Sequence, residues 1–174
     1  MVEMTVESVR INLATQQRVV ILKATKQERY LFIWIAHAEA YAIAVELQGT
    51  NPPRPLTHDL LKNVISELEA KIVSIVISDL IEDIFYARIV LDVAGRHVEI
   101  DSRPSDAIAL SVRTKTAIYV DESVLERAGM TLDTSEETLL PRAEKNQEPE
   151  PEENLDAYRD FINSLDVLDE FGKD

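Results

Sequence analysis

The chain has 174 residues, 45% of them hydrophobic and 29% charged, with a formal net charge of −14 and no cysteine. This length lets one domain bury a core without a staple, while the missing cysteine removes disulfides, thiolate zinc sites and cysteine nucleophiles together. The opening MVEMTVESVR reads as a strand and not as an export signal, and no apolar stretch is long enough to span a membrane, so the expected compartment is the cytosol.

Residues 2–12, 17–24 and 29–35 read as three strands. The last two contain the apolar runs Val19-Val20-Ile21-Leu22 and Leu31-Phe32-Ile33-Trp34-Ile35, as expected of strands covered on both faces. An Ala-rich helix is expected over 37–48, where Glu39 and Glu46 lie seven apart on one face and the other faces read as buried. Asn51-Pro52-Pro53-Arg54-Pro55 forms a stiff connector, after which Thr57 reads as the cap of a helix over 58–69.

Strands return at 71–79, 84–94 and 97–102. Arg103-Pro104-Ser105-Asp106 opens another helix, which runs to about residue 113, with proline in the first turn and Asp106 near the positive helix end. A short strand at 117–120 and a short helix at 122–128 complete the folded part. The fold class is therefore α+β, one domain over residues 1–131.

Residues 132–153 read as an acidic, Pro-containing linker, and 154–174 as a tail in which Leu155, Tyr158, Phe161, Ile162 and Leu165 recur at helical spacing. That amphipathic helix is expected to dock on its own domain or on a protein partner. Residues 133–174 hold 14 acidic and 4 basic side chains, leaving 18 and 14 for residues 1–132, so the folded part is close to balanced. A local basic patch is compatible with that balance.

Sliding the chain against itself by 67 residues aligns Ala40, Ala42 and Val45 with Ala107, Ala109 and Val112, and Glu39 with Asp106. An internal duplication into two strand-strand-strand-helix units, with extra short helices, is the expectation that follows. The uninterrupted apolar strands and the Ala-rich helix further suggest a homodimer.

Three segments occur in order: Ile33-Trp34-Ile35 with Ala38-Glu39-Ala40; Arg54-Pro55-Leu56-Thr57-His58-Asp59-Leu60-Leu61; and Asp101-Ser102-Arg103-Pro104-Ser105-Asp106-Ala107-Ile108-Ala109-Leu110. With Ile118-Tyr119-Val120 ahead of Val124-Leu125, they closely resemble the bifunctional nuclease domain over residues 5–130. Ala36-His37 departs from the Gly-Pro expected before the first helix. The resemblance implies phosphodiester hydrolysis, with DNA or RNA as partner and a divalent metal such as Mg as cofactor.

Such chemistry calls for carboxylate ligands, a base for the attacking water and cations for the phosphate. His58, Asp59 and Asp106 are the catalytic candidates. Arg54, Thr57, Arg103 and Ser105 are the substrate-binding ones, and Glu39 and Asp101 are candidate metal ligands. Glu39 and Asp106 equally suit a helix first turn, where an acid stabilises the macrodipole by roughly 0.3–1 kcal/mol. Adjacent His58 and Asp59 point about 100° apart on a helix, so a shared site needs groups from another segment, and the opening at residues 103–106 is the expected supplier. The rival reading is a non-catalytic module that binds an anion or a protein, using Arg54 and Arg103.

Overall fold

Leading apolar strands fold into a meander, β1 (Val2–Asn12), β2 (Arg18–Ala24) and β3 (Tyr30–Ile35), all antiparallel. The computed structural model describes residues 1–12 and 15–131 and the backbone of 165–167. Helices α1 (His37–Leu47) and α2 (Thr57–Glu67) follow, then a second antiparallel meander, β4 (Ala70–Ile81), β5 (Ile84–Val93) and β6 (Arg96–Ser102). The chain continues through α3 (Pro104–Thr114), β7 (Ala117–Val120), α4 (Glu122–Ala128) and the two-residue β8 (Gly129–Met130). A last strand, β9 (Leu165–Val167), pairs with Arg10, Ile11 and Asn12 of β1.

The nine strands of the described residues belong to one mixed sheet in the order β6-β5-β4-β7-β1-β2-β3-β8, with β9 attached to β1. Strand β7 joins the two meanders, lying parallel to β4 and antiparallel to β1. Three strands followed by a helix occur twice in the element order, which does not by itself establish the internal duplication expected from the 67-residue offset. The likeness is one of order: α1 leads into a connector and α2, whereas α3 leads directly into β7.

Helix α3 is central. It lies against α1 and α2 and against β3, β4, β5 and β7, and buries Ala107, Ile108, Ala109 and Leu110 completely. Removing the Leu110 side chain to alanine would cost about 2–5 kcal/mol, since so enclosed a site collapses poorly around a cavity. The apolar run of β2 is covered on both faces. Val20 and Leu22 join the main core, whereas Val19 and Ile21 meet Tyr30 and Phe32 on the opposite face. No helix among the described residues is long and apolar enough to cross a membrane.

Several local expectations change. Helix α1 buries Glu39 along with Ala40, Ala42, Ile43 and Val45 and leaves Tyr41 and Leu47 exposed, so the side bearing Glu39 is one of the buried ones. Thr57 is the first residue of α2 and not its cap. Leu56 holds the cap position, and leucine has no side-chain acceptor; the compensating bond comes from Asp59, whose Oδ2 accepts the Leu56 N–H at 2.8 Å. The expected linker and tail helix lie outside the described residues except at Leu165–Val167, which is a strand because the open edge of β1 supplies backbone partners. Strand β8 was not expected, and it depends on Gly129, where any Cβ would collide with the carbonyl oxygen of Leu125.

Candidate functional site

Glu39, Asp59 and Asp106 each occupy the third residue of a helix: α1, α2 and α3 respectively. The residues in the cap position, Ala36, Leu56 and Arg103, give these helices no side-chain cap bond. Amide groups at the helix starts and the positive dipole end draw the acids into the first turn. Tertiary packing then sets their partners.

Two clusters result. In the first, Arg103 sits between two carboxylates, donating from its Nε to Asp106 Oδ2 at 2.7 Å and from a terminal nitrogen to Glu39 Oε1 at 2.5 Å. The other oxygen of Asp106 meets His58 Nε2 at 3.1 Å. The His58 side chain is 10% exposed and that of Arg103 is 64% exposed, so the imidazole is enclosed while the guanidinium faces solvent. His58 Nδ1 makes no hydrogen bond to any described residue. Pairing Nε2–H with the Asp106 carboxylate therefore leaves a basic nitrogen available.

Burial alone would raise the pKa of Asp106, but the bonds from Arg103 and His58 outweigh it and hold the carboxyl below its ordinary range. The same contacts with Asp106 and Glu39 raise the pKa of Arg103. Glu39 Oε2 is buried and has no hydrogen-bond partner among the described residues. A buried acceptor without a donor is destabilising by about 1–3 kcal/mol, and the fold retains one on the carboxylate that Arg103 contacts.

In the second cluster Arg113, with a side chain 2% exposed, donates from Nε to Asp59 Oδ1 at 2.8 Å and from a terminal nitrogen to the Ala109 carbonyl at 2.8 Å. Burial would raise the Asp59 pKa, yet the Leu56 N–H and Arg113 bring it below the usual value.

The structure thus brings together Glu39, His58, Arg103 and Asp106, from the starts of three helices. Asp59 belongs to the neighbouring cluster. Arg54 and Thr57 are exposed and their side chains carry no hydrogen bond or ion pair among the described residues, and Ser105 is buried in the first turn of α3. Asp101 is exposed on β6, opposite Arg88. Sequence reasoning missed Arg113; its one signal is a charge closing the otherwise uncharged stretch from Ala107 to Val112.

A divalent ion needs several oxygen or nitrogen ligands turned toward one point. Among the described residues no three His, Asp or Glu side chains are grouped to hold one, and Arg103 occupies the space between Glu39 and Asp106. The donor set as arranged does not fit a metal.

A family model described as the bifunctional nuclease domain matches residues 20–133. An uncharacterized protein of Mycobacterium tuberculosis (strain ATCC 25618 / H37Rv) is 39% identical over 164 residues, 94% of each chain. Bifunctional nuclease 2 of Oryza sativa subsp. japonica is 26% identical over 120 residues, 67% of this chain and 37% of that protein. Bifunctional nuclease 1 of Oryza sativa subsp. indica is 22% identical over 120 residues, 67% of this chain and 36% of that protein.

Proposed function

Because the chain belongs to the bifunctional nuclease domain family, we propose that it hydrolyses phosphodiester bonds of nucleic acid at the cluster formed by His58, Asp106 and Arg103. One observation carries the assignment to these residues: an enclosed imidazole bonded through Nε2 to a carboxylate at 3.1 Å, beside a solvent-facing guanidinium.

In this reading Asp106 fixes the His58 tautomer and stabilises the imidazolium. His58 Nδ1 takes a proton from water as the water oxygen bonds to phosphorus. The ester P–O bond breaks, and the leaving oxygen takes a proton from solvent. Arg103 neutralises charge on the non-bridging oxygens, exchanging a carboxylate partner for phosphate.

The test is cleavage of a labelled single-stranded oligonucleotide by the purified chain. His58→Gln and Asp106→Asn should each lower turnover about a hundredfold or more, the usual scale for general acid–base groups, and the loss should remain when turnover is expressed per folded molecule. Undiminished turnover by a well-folded His58→Gln would remove the assignment. A chelator forms the second arm. Turnover that disappears with chelator and returns with Mg would require Arg103 to vacate the carboxylates.

A non-catalytic anion-binding reading draws support from Arg103 as well, since an exposed guanidinium can exchange a carboxylate for a ligand oxygen without chemistry following. Absence of cleavage by pure protein that still binds the oligonucleotide would select it.

A further inference from the structure

Beyond the cluster at the helix starts, α2 and α3 carry a second feature. Between their C-terminal halves and the first residues of β4 lies a cavity of about 380 Å³, lined by Lys62, Lys71, Lys115 and Arg113 over Ile65 and Ile72. No Asp or Glu among the described residues lines it. In a chain of net charge −14 such a one-signed concavity runs against the composition.

We propose that this cavity is a binding site for the phosphate backbone of single-stranded nucleic acid, holding strand that extends beyond the His58 cluster. The proposal rests on the nucleic-acid reading above for its ligand and on the cavity for its place.

The partners of the four cations decide how much charge is available. Arg113 is neutralised by Asp59, and Lys62 Nζ donates at 3.3 Å to the Arg113 carbonyl, in the last turn of α3. The side chains of Lys71 and Lys115 make no hydrogen bond or ion pair with any described residue, and Asp92 stands across from Lys71 in the pairing of β4 with β5. The bland account is that the lysines only offset the negative ends of α2 and α3. Those ends contribute about half a charge each, roughly one in all, against three ammonium groups; Asp92 opposite Lys71 offsets part of the remainder, so a surplus of between about one and two positive charges remains for a ligand.

Continuity with the hydrolytic cluster follows from helix geometry. His58 and Lys62 are one turn apart on the same face of α2, about 6 Å along the axis. Arg113 then links the two places, contacting Asp59 beside His58 while itself lining the cavity. A strand crossing His58 thus meets the lysines next. The cavity lies near the small end of the volumes that ligand pockets occupy, roughly 300–1,000 Å³, which suits one nucleotide unit with phosphate on the lysines and an apolar edge on Ile65 and Ile72.

The experiment is a fluorescence anisotropy titration of the full chain with a labelled single-stranded oligonucleotide at several salt concentrations. It is done in a His58→Gln background so that hydrolysis and binding are read separately. Lys71→Gln and Lys115→Asn are combined; asparagine suits position 115, where φ is 56°, because it tolerates the left-handed region. We expect at least tenfold weaker binding and a log–log salt slope shallower by about 1.4, the release expected for two phosphate contacts on a single strand. An unchanged slope and affinity in the folded double variant would overturn the proposal and leave the His58 assignment standing. Lysine-dependent binding without hydrolysis by the wild type would keep the site and remove the reaction. Tighter binding of polyglutamate than of the oligonucleotide would reassign the cavity to an acidic protein partner.

Discussion

Arg113 is the bolt between two helices: its Nε reaches Asp59 Oδ1 at 2.8 Å while its side chain remains 2% exposed. Removing one member of so enclosed a pair strands the other's charge, and such losses run to about 3–5 kcal/mol. Asp59 is 29% exposed, which moderates the penalty for its own charge but not for that of Arg113. Asp59→Asn should therefore destabilise the domain by about 3 kcal/mol, read as a urea midpoint shift, while turnover per folded molecule is retained. Lost turnover with intact stability would move Asp59 from scaffold to chemistry.

Acid should weaken the fold through two carboxylates. Asp59 and Asp106 ionise at lower pH in the fold than in the unfolded chain. In the window between the two values the unfolded chain binds more protons, so stability rises with pH. Their contribution is complete above about pH 3.9, the ordinary carboxylate value, and is lost as pH falls through the depressed values. Denaturation midpoints measured from pH 6 down to pH 2 should fall steeply below about 4, and less steeply in Asp106→Asn. Equal slopes would show that Asp106 carries no linkage.

Glu39 offers the opposite sign. One of its oxygens is buried without a partner among the described residues, and its ion pair is to an Arg103 already well hydrated. Glu39→Met should therefore leave stability unchanged or raise it by about 1 kcal/mol. If Glu39 serves function, turnover falls in the same variant. A large loss of stability would show that the ion pair with Arg103 holds α1 to α3.

Truncation is the fourth case. Among the described residues, every buried member of the main core cluster lies between Met4 and Leu125. A chain ending at Thr131 should unfold cooperatively, with some loss from uncovering the β1 edge at Arg10, Ile11 and Asn12. Non-coincident transitions by fluorescence and circular dichroism would show that the remainder completes the domain.

Legibility followed locality. Continuous apolar runs such as Val19-Val20-Ile21-Leu22 gave strand β2 and its two covered faces, and Pro104 with Asp106 marked the start of α3 within a residue. The pairings that build the site were not local. Glu39 and Arg103 are 64 residues apart, Asp59 and Arg113 54, His58 and Asp106 48, and no periodicity encodes such distances. Chemistry-bearing residues at both helix openings could be named from the sequence, together with the expectation that the openings meet. It could not be foreseen that an arginine would stand between two of the acids, because an exposed side chain leaves no pattern. Thr57 misled for a related reason: a hydroxyl suited to capping was displaced by a neighbouring carboxylate reaching back to Leu56.

Four residues of β7 make the sheet continuous, pairing Val120 with Val2 on one side and with Ile77 on the other. The first strand thus waits for the last full strand of the domain before its second edge is covered. Loop closure over that span is entropically slow to nucleate, so each meander should form early and the seam between them late. On a ribosome, the N-terminal meander would emerge with its β1 edge open until Val120 clears the exit tunnel. Aggregation during synthesis should accordingly be most sensitive to substitutions at Met4 and Ile118, a buried pair that joins the seam to the core shared by both meanders.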